Sequence, residues 1–214
     1  MLSQILENFI NFLFPKSPLI LNLESLSPSE LLSKLTPAKD LGENTLAIFN
    51  YADENVRVLI WELKYRKNLK VAKALAIILF DVLKSEMLER RIFDNFSNPM
   101  LVPIPISRER RLERGYNQTE ILCEEVINLD QEKLFEYKSN ILEKTRHTES
   151  QTLVKNKKER SRNLENSMKS SGSVRGRNVI ILDDVTTTGA TFGDARRALK
   201  DVGAKKILCM ALAH

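Results

Sequence analysis

The stretch from residue 179 to 203 constrains the fold of this chain more than any other. It begins with four consecutive apolar residues, 179–182, a pattern typical of a strand buried on both faces of a parallel sheet. Two carboxylates, Asp183 and Asp184, end this strand, and a loop of small residues then leads into an amphipathic helix. Gly203 follows this helix, where a left-handed C-terminal cap belongs. A second apolar strand, 207–212, closes the unit, so the sequence predicts a right-handed crossover in an α/β fold.

The loop after the acid pair is expected to face a ligand, because ligands bind beyond the carboxyl ends of parallel strands. It contains Val185, Thr186, Thr187, Thr188, Gly189, Ala190 and Thr191. Its backbone N–H groups, its hydroxyls and the positive end of the following helix favour a phosphate. Carboxylates instead suit ribose hydroxyls or a hard cation, held directly or through water. A single ligand that carries a phosphate, a ribose and Mg²⁺ fits both halves, whereas a simple turn with a helix cap is the structural alternative.

The segment LDDVTTTGAT resembles the signature of type I phosphoribosyltransferases, which bind 5-phosphoribosyl-1-pyrophosphate (PRPP). The resemblance implies that Asp183 and Asp184 bind the ribose hydroxyls, and that the loop from Thr186 to Thr191 binds the 5′-phosphate. It also implies Mg²⁺ as the cofactor that accompanies PRPP near the two acids. The implied fold is the type I phosphoribosyltransferase fold, a mainly parallel sheet flanked by helices, here with a small helical N-terminal piece.

A second informative stretch covers residues 101–126. An apolar strand with Pro103 and Pro105 near its end leads into a basic loop, and a helix with Asn117 as its N-cap follows. If this strand runs parallel to the one at 179, the basic loop lies at the same sheet edge and suits a pyrophosphate. The residues predicted to bind it are Arg108, Arg110, Arg111, Arg114 and Gly115. The alternative is that these arginines only cover the surface.

Residues 139–173 are too polar to form core and are either a lid or a plain solvated segment. Type I phosphoribosyltransferases have a flexible loop in this place that closes over PRPP. The predicted lid residues are Lys144, Arg146, Gln151, Arg160 and Asn163. His147 has no histidine partner nearby and is interpreted as a surface residue, so no catalytic residue is assigned.

The span from about residue 47 to the end resembles the ComF family of competence-associated proteins. The resembling pieces are Tyr51 with LIWELKYR, PIPISRERRLERGYNQ, TRHTESQTL with Arg160 and Asn163, and LDDVTTTGAT. The resemblance implies a role in the uptake of transforming DNA, with helicase-like and single-strand-binding proteins as partners. Family members commonly begin with a cysteine-rich zinc module, but residues 1–44 contain no cysteine or histidine. We therefore expect no zinc site, a metal-free piece over residues 1–44 and a phosphoribosyltransferase-like domain over residues 45–214.

Within the N-terminal piece, residues 1–14 have the spacing of an amphipathic helix that packs on the domain. Residues 15–44 are predicted to be loop-rich, with one short helix that begins at a capping box from Ser27 to Glu30. A strand is predicted from Thr45 to Tyr51, and then a helix with apolar residues from Val56 to Leu63. A longer helix is predicted from Leu69 to about Arg90.

Composition limits the function classes only broadly. The net charge of +5 and the pI near 9.2 suit anionic partners. Two cysteines, Cys123 and Cys209, lie in apolar patterns and are predicted to be reduced and buried. We expect a cytoplasmic protein, because the N-terminus lacks the features of a signal peptide and no apolar run reaches membrane-spanning length. The last strand ends at His214, so we expect no hood over a nucleobase after it.

Three functions are therefore considered. The first is a PRPP-binding ComF-type protein that acts in DNA uptake. The second is an active phosphoribosyltransferase that joins a base or an amine to the ribose. The third is a single-stranded DNA adaptor without catalysis, for which the basic segments 64–73 and 155–162 are the motivation. The sequence leaves the acceptor and the oligomeric state open.

Overall fold

In the computed structural model, residues 16–42, 44–144 and 167–214 are described. Five strands form one sheet in the order β1-β7-β6-β2-β3, and every neighbouring pair in it is parallel. The remaining two, β4 and β5, form an antiparallel pair. The strands in chain order are β1 (Thr45–Phe49), β2 (Met100–Pro103), β3 (Glu136–Tyr137), β4 (Leu142–Lys144), β5 (Met168–Ser170), β6 (Val179–Val185) and β7 (Ile207–Ala213).

The helices begin and end largely at the residues that the sequence indicates. In chain order they are α1 (Pro18–Ser25), α2 (Pro28–Lys34), α3 (Glu54–Tyr65), α4 (Leu69–Phe93), α5 (Arg108–Arg114), α6 (Gln118–Leu129) and α7 (Ala190–Asp201), with a short 3-10 helix at Gly172–Val174. The capping box of α2 is present, because Ser27 and Glu30 exchange both predicted hydrogen bonds. Asn117 is the N-cap of α6, and Gly203 has a φ of +89° just after α7. These predictions are confirmed.

The sheet is covered on both faces, as the unbroken apolar runs in its strands predict. Ile180 and Leu182 of β6 pack on one face with residues of α3, α4 and α6. Val179 and Ile181 point to the opposite face, where α7 and the β4–β5 pair cover them. All four side chains are fully buried. Because alternate residues of a strand point to opposite faces, two separate apolar layers result from one strand.

The described part of the N-terminal segment packs on the same core as the rest of the chain. Helix α1 is not among the predicted elements, although Ser17 caps it and Pro18 occupies its first turn. Ile20 and Leu23 of α1 join the core on the α3 and α4 side of the sheet, together with Leu31 of α2 and its C-cap residue Leu35. The loop-rich expectation for residues 15–44 is therefore wrong over α1. The predicted helix at residues 1–14 lies outside the described residues.

Two expectations from composition can be compared with the structure. Cys123 and Cys209 are both buried and free, as predicted. A search of the described residues finds no helix with the length and apolar character needed to cross a bilayer.

Candidate functional site

The candidate site lies where the chain leaves the sheet in opposite directions from two neighbouring strands. Strand β2 pairs in parallel with β6, which confirms that the basic segment and the acid pair are at the same sheet edge. After β2 the chain passes through α6 on one face to β3, whereas after β6 it passes through α7 on the other face to β7. A crevice forms at such a switch point, beyond the carboxyl ends of the strands.

The loop after β6 presents unpaired backbone donors to this crevice. Thr186 is buried, and its N–H donates to the carbonyl of Ala213 at 2.9 Å. Thr187 and Thr188 are exposed, and Gly189 caps α7 in the left-handed conformation with a φ of +72°. No described residue accepts a hydrogen bond from the backbone N–H groups of Thr187, Gly189 or Thr191. Together with the positive end of α7, these donors form a site suited to a phosphate.

Gly189 provides the backbone conformation that this loop needs. A methyl group at this position meets no atom within 4 Å, so the cost of Gly189→Ala is conformational rather than steric. We expect the substitution to lower the free energy of unfolding by about 1 kcal/mol and to weaken phosphate binding, because the loop relaxes away from a positive φ. Urea denaturation and ligand titration of the variant measure the two effects. Gly193→Ala, which lies in α7 with a negative φ and open space around it, is the control expected to leave the loop intact.

Asp184 is held by two side chains from helices on one face of the sheet. Its Oδ2 accepts a hydrogen bond from Gln118 Nε2 at 3.0 Å and forms an ion pair with Lys64 Nζ at 3.1 Å. Its Oδ1 accepts from the backbone N–H of Val185 at 2.8 Å. The side chain is only 5% exposed. Asp184 is therefore already held by protein donors, and its contact with the ribose hydroxyls stays a prediction.

Asp183 is in a different electrostatic environment. Its Oδ1 accepts the backbone N–H of Asp184 at 2.8 Å. Desolvation, followed by the charge of Asp184, raises the pKa of the Asp183 carboxyl well above its ordinary value, although Lys64 opposes this effect. Donors from a ligand would relieve the cost of this desolvated charge, so Asp183 is the member of the pair suited to bind hydroxyl groups.

The arginine-rich segment is a short helix, α5, and not the loop that the sequence predicts. Ser107 caps it, and Gly115 ends it in the left-handed conformation with a φ of +77°. Two of its arginines have intramolecular partners. Arg111 pairs with Glu120, and the guanidinium of Arg114 lies 4.8 Å from the ring centroid of Tyr65. The segment is helical because a serine cap and a glycine stop flank seven good helix formers.

The other two arginines remain exposed at the start of α5. Arg108 and Arg110 form no ion pair with any described residue. Arg110 also lowers the pKa of Lys144, an effect second to burial and opposed by Asp183 and Asp194. These electrostatic interactions place Lys144, Arg110 and Asp183 in one region. Of the predicted lid residues, Lys144 ends β4, whereas Arg146, Gln151, Arg160 and Asn163 lie outside the described residues.

The sequence does not indicate two of the residues that contact the acids. Lys64 belongs to the basic segment 64–73 proposed for DNA binding, and the structure pairs it with Asp184. Gln118 follows the predicted cap Asn117, and its burial at 4% exposure is unusual for a glutamine. The described residues contain no group of three or more His, Cys, Asp or Glu side chains that could hold a metal ion. Two carboxylates still fit Mg²⁺ that takes its other oxygens from a ligand and water.

Comparisons with known proteins agree with this architecture. Residues 131–214 match the family model described as a phosphoribosyl transferase domain. The DNA utilization protein YhgH of Escherichia coli (strain K12) is 31% identical over 159 residues, which cover 72% of this chain and 66% of that protein. Competence protein F of Haemophilus influenzae is 27% identical over 173 residues, which cover 79% of this chain and 72% of that protein. Competence protein ComFC of Bacillus subtilis is 35% identical over 112 residues, which cover 49% of this chain and 39% of that protein.

Among solved structures, a glutamine PRPP amidotransferase from B. subtilis is similar with 14% identity and a TM-score of 0.41, over 72% of this chain and 30% of that one. The parallel sheet, its switch point and the family match define a phosphoribosyltransferase domain of type I. The chain belongs to the ComF family of competence-associated, phosphoribosyltransferase-like proteins. Both resemblances in the sequence are thereby confirmed, and the absence of a zinc module stays a prediction.

Proposed function

We propose that this protein binds PRPP together with Mg²⁺ at the crevice between β2 and β6, and that it acts in DNA uptake. One observation supports the binding proposal above the others. Asp183, a partly exposed carboxylate whose pKa is raised, directly precedes the 186–191 loop, where several backbone N–H groups have no acceptor among the described residues, and both Asp183 and Arg110 act electrostatically on Lys144. The names of the relatives, which refer to DNA utilization and competence, support the biological role.

The parts of PRPP match the parts of the crevice in charge and in hydrogen-bonding type. The N–H donors of the loop suit the 5′-phosphate, and Asp183 suits the ribose hydroxyls. Arg108 and Arg110, with Lys144, suit the pyrophosphate, because they are the cations near the site without carboxylate partners among the described residues. Bound Mg²⁺ would neutralise part of the pyrophosphate charge. In this proposal the helix α5 is held by the contacts of Arg111 and Arg114 and ends at Gly115. These features keep Arg108 and Arg110 in place.

Calorimetric titration of PRPP into the wild type, with and without Mg²⁺, tests this proposal. We expect binding with Mg²⁺ and a clear loss of affinity without it. Arg110→Ala should weaken PRPP binding roughly tenfold or more, because it removes a charge-assisted contact to the pyrophosphate. The matched control is Arg57→Ala, on α3 beyond β1, where the guanidinium only bonds the carbonyl of Ala52 at 2.6 Å. No heat of binding from well-folded wild type would contradict the proposal.

Whether the protein also transfers the ribosyl group is a separate proposal. Electrostatic stabilisation of the departing pyrophosphate by Arg108, Arg110 and Lys144 would supply most of the chemistry, and no dedicated nucleophile is required. The test is the release of pyrophosphate from PRPP in the presence of a panel of nucleobases and amines. Release that depends on one acceptor class identifies a transferase, whereas binding without release by any acceptor supports a non-catalytic role.

A second candidate function, binding of single-stranded DNA, is favoured by an aromatic surface on α3. Trp61 and Tyr65 are 48% and 53% exposed, and their ring centroids are 5.5 Å apart. Arg66 lies 5.3 Å from the centroid of the Trp61 ring, and Arg114 lies over Tyr65. Exposed aromatic rings interleaved with cations are the combination that stacks bases and binds the phosphates between them.

Trp61→Ala tests this second function. We expect the affinity for an oligo-dT strand to fall about tenfold, since stacking of one base on an aromatic ring contributes roughly 1–3 kcal/mol. Binding should also weaken steeply as salt is raised. Phe93→Ala is the matched control, because Phe93 is 79% exposed at the far end of α4. Equal oligonucleotide affinity in both variants and the wild type would exclude α3 as a DNA-binding surface.

A further inference from the structure

A second cleft, of about 640 Å³, lies at the opposite edge of the sheet from the acid pair. Its position follows from the strands: Asn44 precedes β1, Asp94 and Phe96 precede β2, and Lys206 precedes β7. It is therefore at the amino-terminal edge. The lining residues on which the argument depends are Arg90 and Asp94 from one wall and Arg196, Lys200, Lys205 and Lys206 from the other. No part of the proposed PRPP site contributes to it.

The cleft is strongly cationic. Six of its lining side chains are lysines or arginines, and the single lining carboxylate is that of Asp94. Two of the cations are neutralised locally, because Arg90 pairs with Glu86 at 2.9 Å and Arg197 pairs with Asp194 at 2.7 Å. The other four form no ion pair with a carboxylate among the described residues; they are Arg196, Lys200, Lys205 and Lys206. Four uncompensated cations in one concave site indicate an anionic ligand.

Backbone and neutral side-chain contacts hold three of these four cations in place. Arg196 donates to Thr45 Oγ1 at 2.8 Å and to Cys209 Sγ at 3.0 Å. Lys200 Nζ donates to the carbonyl of Lys205 at 2.7 Å, and Lys206 Nζ donates to the carbonyl of Asp94. These contacts fix the positions of the charges without neutralising them. A ligand therefore meets cations whose conformational freedom is already reduced, which lowers the entropic cost of binding.

The four uncompensated cations lie along one wall of the cleft. Arg196, Lys200, Lys205 and Lys206 belong to α7 and the turn that follows it, whereas the neutralised Arg90 and Asp94 form the other wall at the end of α4. A volume of this size is in the range of small-molecule sites. Four cations within one turn of a helix and the turn after it suit a compact anion with several charges. They suit an extended strand less well, since the only aromatic residue in the lining, Phe96, is 3% exposed and offers no free face for base stacking.

We propose that this cleft binds a polyphosphate group, as carried by a nucleoside triphosphate, and that the site is separate from the PRPP crevice. Arg196, Lys200, Lys205 and Lys206 bind the phosphates. The Asn44 side chain and the Asp94 carboxylate both contact Arg90, at 2.9 and 3.7 Å, so they hold the opposite wall and are not assigned to the ligand. The helix α7 separates the two sites. Its first residues, Ala190 and Thr191, belong to the 186–191 loop, and Lys200 is in its last turn.

Binding of inorganic tripolyphosphate to the full chain tests the proposal directly. The cleft variant is Lys200→Glu with Lys205→Glu, two exposed side chains, and the matched control is Lys34→Glu with Lys39→Glu, two exposed lysines outside the lining. Each pair changes the net charge equally. We expect the wild type and the control to bind tripolyphosphate with similar affinity, and the cleft variant to lose roughly tenfold or more. A melting curve of each variant checks that it is folded.

Two further arms identify the source of the phosphates and separate the two sites. ATP should bind in place of tripolyphosphate, and a saturating concentration of PRPP with Mg²⁺ should not displace it. An oligo-dT strand serves as the competing class of ligand. Three outcomes each overturn the proposal. The first is equal tripolyphosphate binding by the cleft variant and the control, and the second is displacement of tripolyphosphate by PRPP. The third is oligo-dT binding that requires Lys200 and Lys205 while tripolyphosphate does not bind.

Discussion

Asp183→Asn is expected to abolish PRPP binding and at the same time to stabilise the protein. Asparagine preserves the size of the side chain, but it presents an amide in place of one carboxylate oxygen and loses the charge that the ribose hydroxyls and Mg²⁺ would bind. We expect the affinity for PRPP to fall about 100-fold or more, since charge-assisted hydrogen bonds contribute roughly 1.5–3 kcal/mol each. Without ligand, the variant no longer has a desolvated negative charge beside Asp184, so its melting temperature should rise by about 2–4 °C at pH 7.

The stability gain should depend on pH in a defined direction. Because the pKa of Asp183 is raised in the folded protein, the folded state binds this proton more tightly than the unfolded state does. The wild type therefore loses stability as pH rises above the ordinary carboxyl pKa of 3.8, until the folded-state pKa is passed. The difference between Asp183→Asn and the wild type should accordingly be largest at neutral pH and should shrink as pH falls toward 3.8.

Differential scanning calorimetry across this pH range and a PRPP titration at neutral pH measure both effects. Asp81→Asn, which removes an exposed carboxylate from α4, is the matched control expected to change neither. A variant that is stabilised but still binds PRPP as the wild type does would show that Asp183 is not the ribose-binding acid. A variant that is destabilised at neutral pH would contradict the electrostatic account of the site.

Asp184→Ala should have the opposite effect on stability. Removal of this carboxylate leaves the ammonium of Lys64 and the amide of Gln118 without their shared acceptor, in a site where Gln118 is buried. Loss of one partner from such a pair is costly because the other stays desolvated. Lys64 remains 23% exposed and can still reach water, so we expect a loss of about 2–4 kcal/mol in the free energy of unfolding.

Urea denaturation of Asp184→Ala measures this loss. The conservative variant Asp184→Asn retains an oxygen that can accept from Gln118, and it should lose less stability than the alanine variant. Lys64→Met, combined with Asp184→Ala, removes the stranded charge and should restore part of the stability. Equal stability of Asp184→Ala and the wild type would show that the ion pair and the hydrogen bond contribute nothing measurable.

The two acids are therefore in different environments although they are adjacent in the chain. The sequence indicates only that both lie at the end of a buried strand. Alternation along β6 directs Asp184 to the face covered by α3 and α6, where Lys64 forms an ion pair with it and Gln118 donates a hydrogen bond to it. Asp183 is on the opposite face, where its charge acts on Lys144. A variant that changes both acids together would mix loss of binding with loss of stability, so single variants are required.

Local patterns determined most of the fold and the core of the candidate site. Residues 179–182 form the part of β6 that is buried on both faces, because an unbroken apolar run is typical of a strand in a covered parallel sheet. The Ser27 capping box and the glycine after α7 set helix ends through contacts within a few residues, so they are readable in the sequence. The helical character of residues 108–114 was also local information, but the density of arginines suggested a binding loop instead.

The tertiary structure alone decided which side chains share a site. Gln118 and Asp184 are 66 positions apart, and they meet only because β2 lies beside β6 and α6 packs on that face. The same packing gives Arg111 and Arg114 their partners, Glu120 and Tyr65, whereas Arg108 and Arg110 form no ion pair within the described part of the chain. The basic cleft combines the end of α4 with α7 and the start of β7, segments without any common sequence pattern. Contacts between distant segments depend on strand order and helix packing, which periodicity along the chain does not encode.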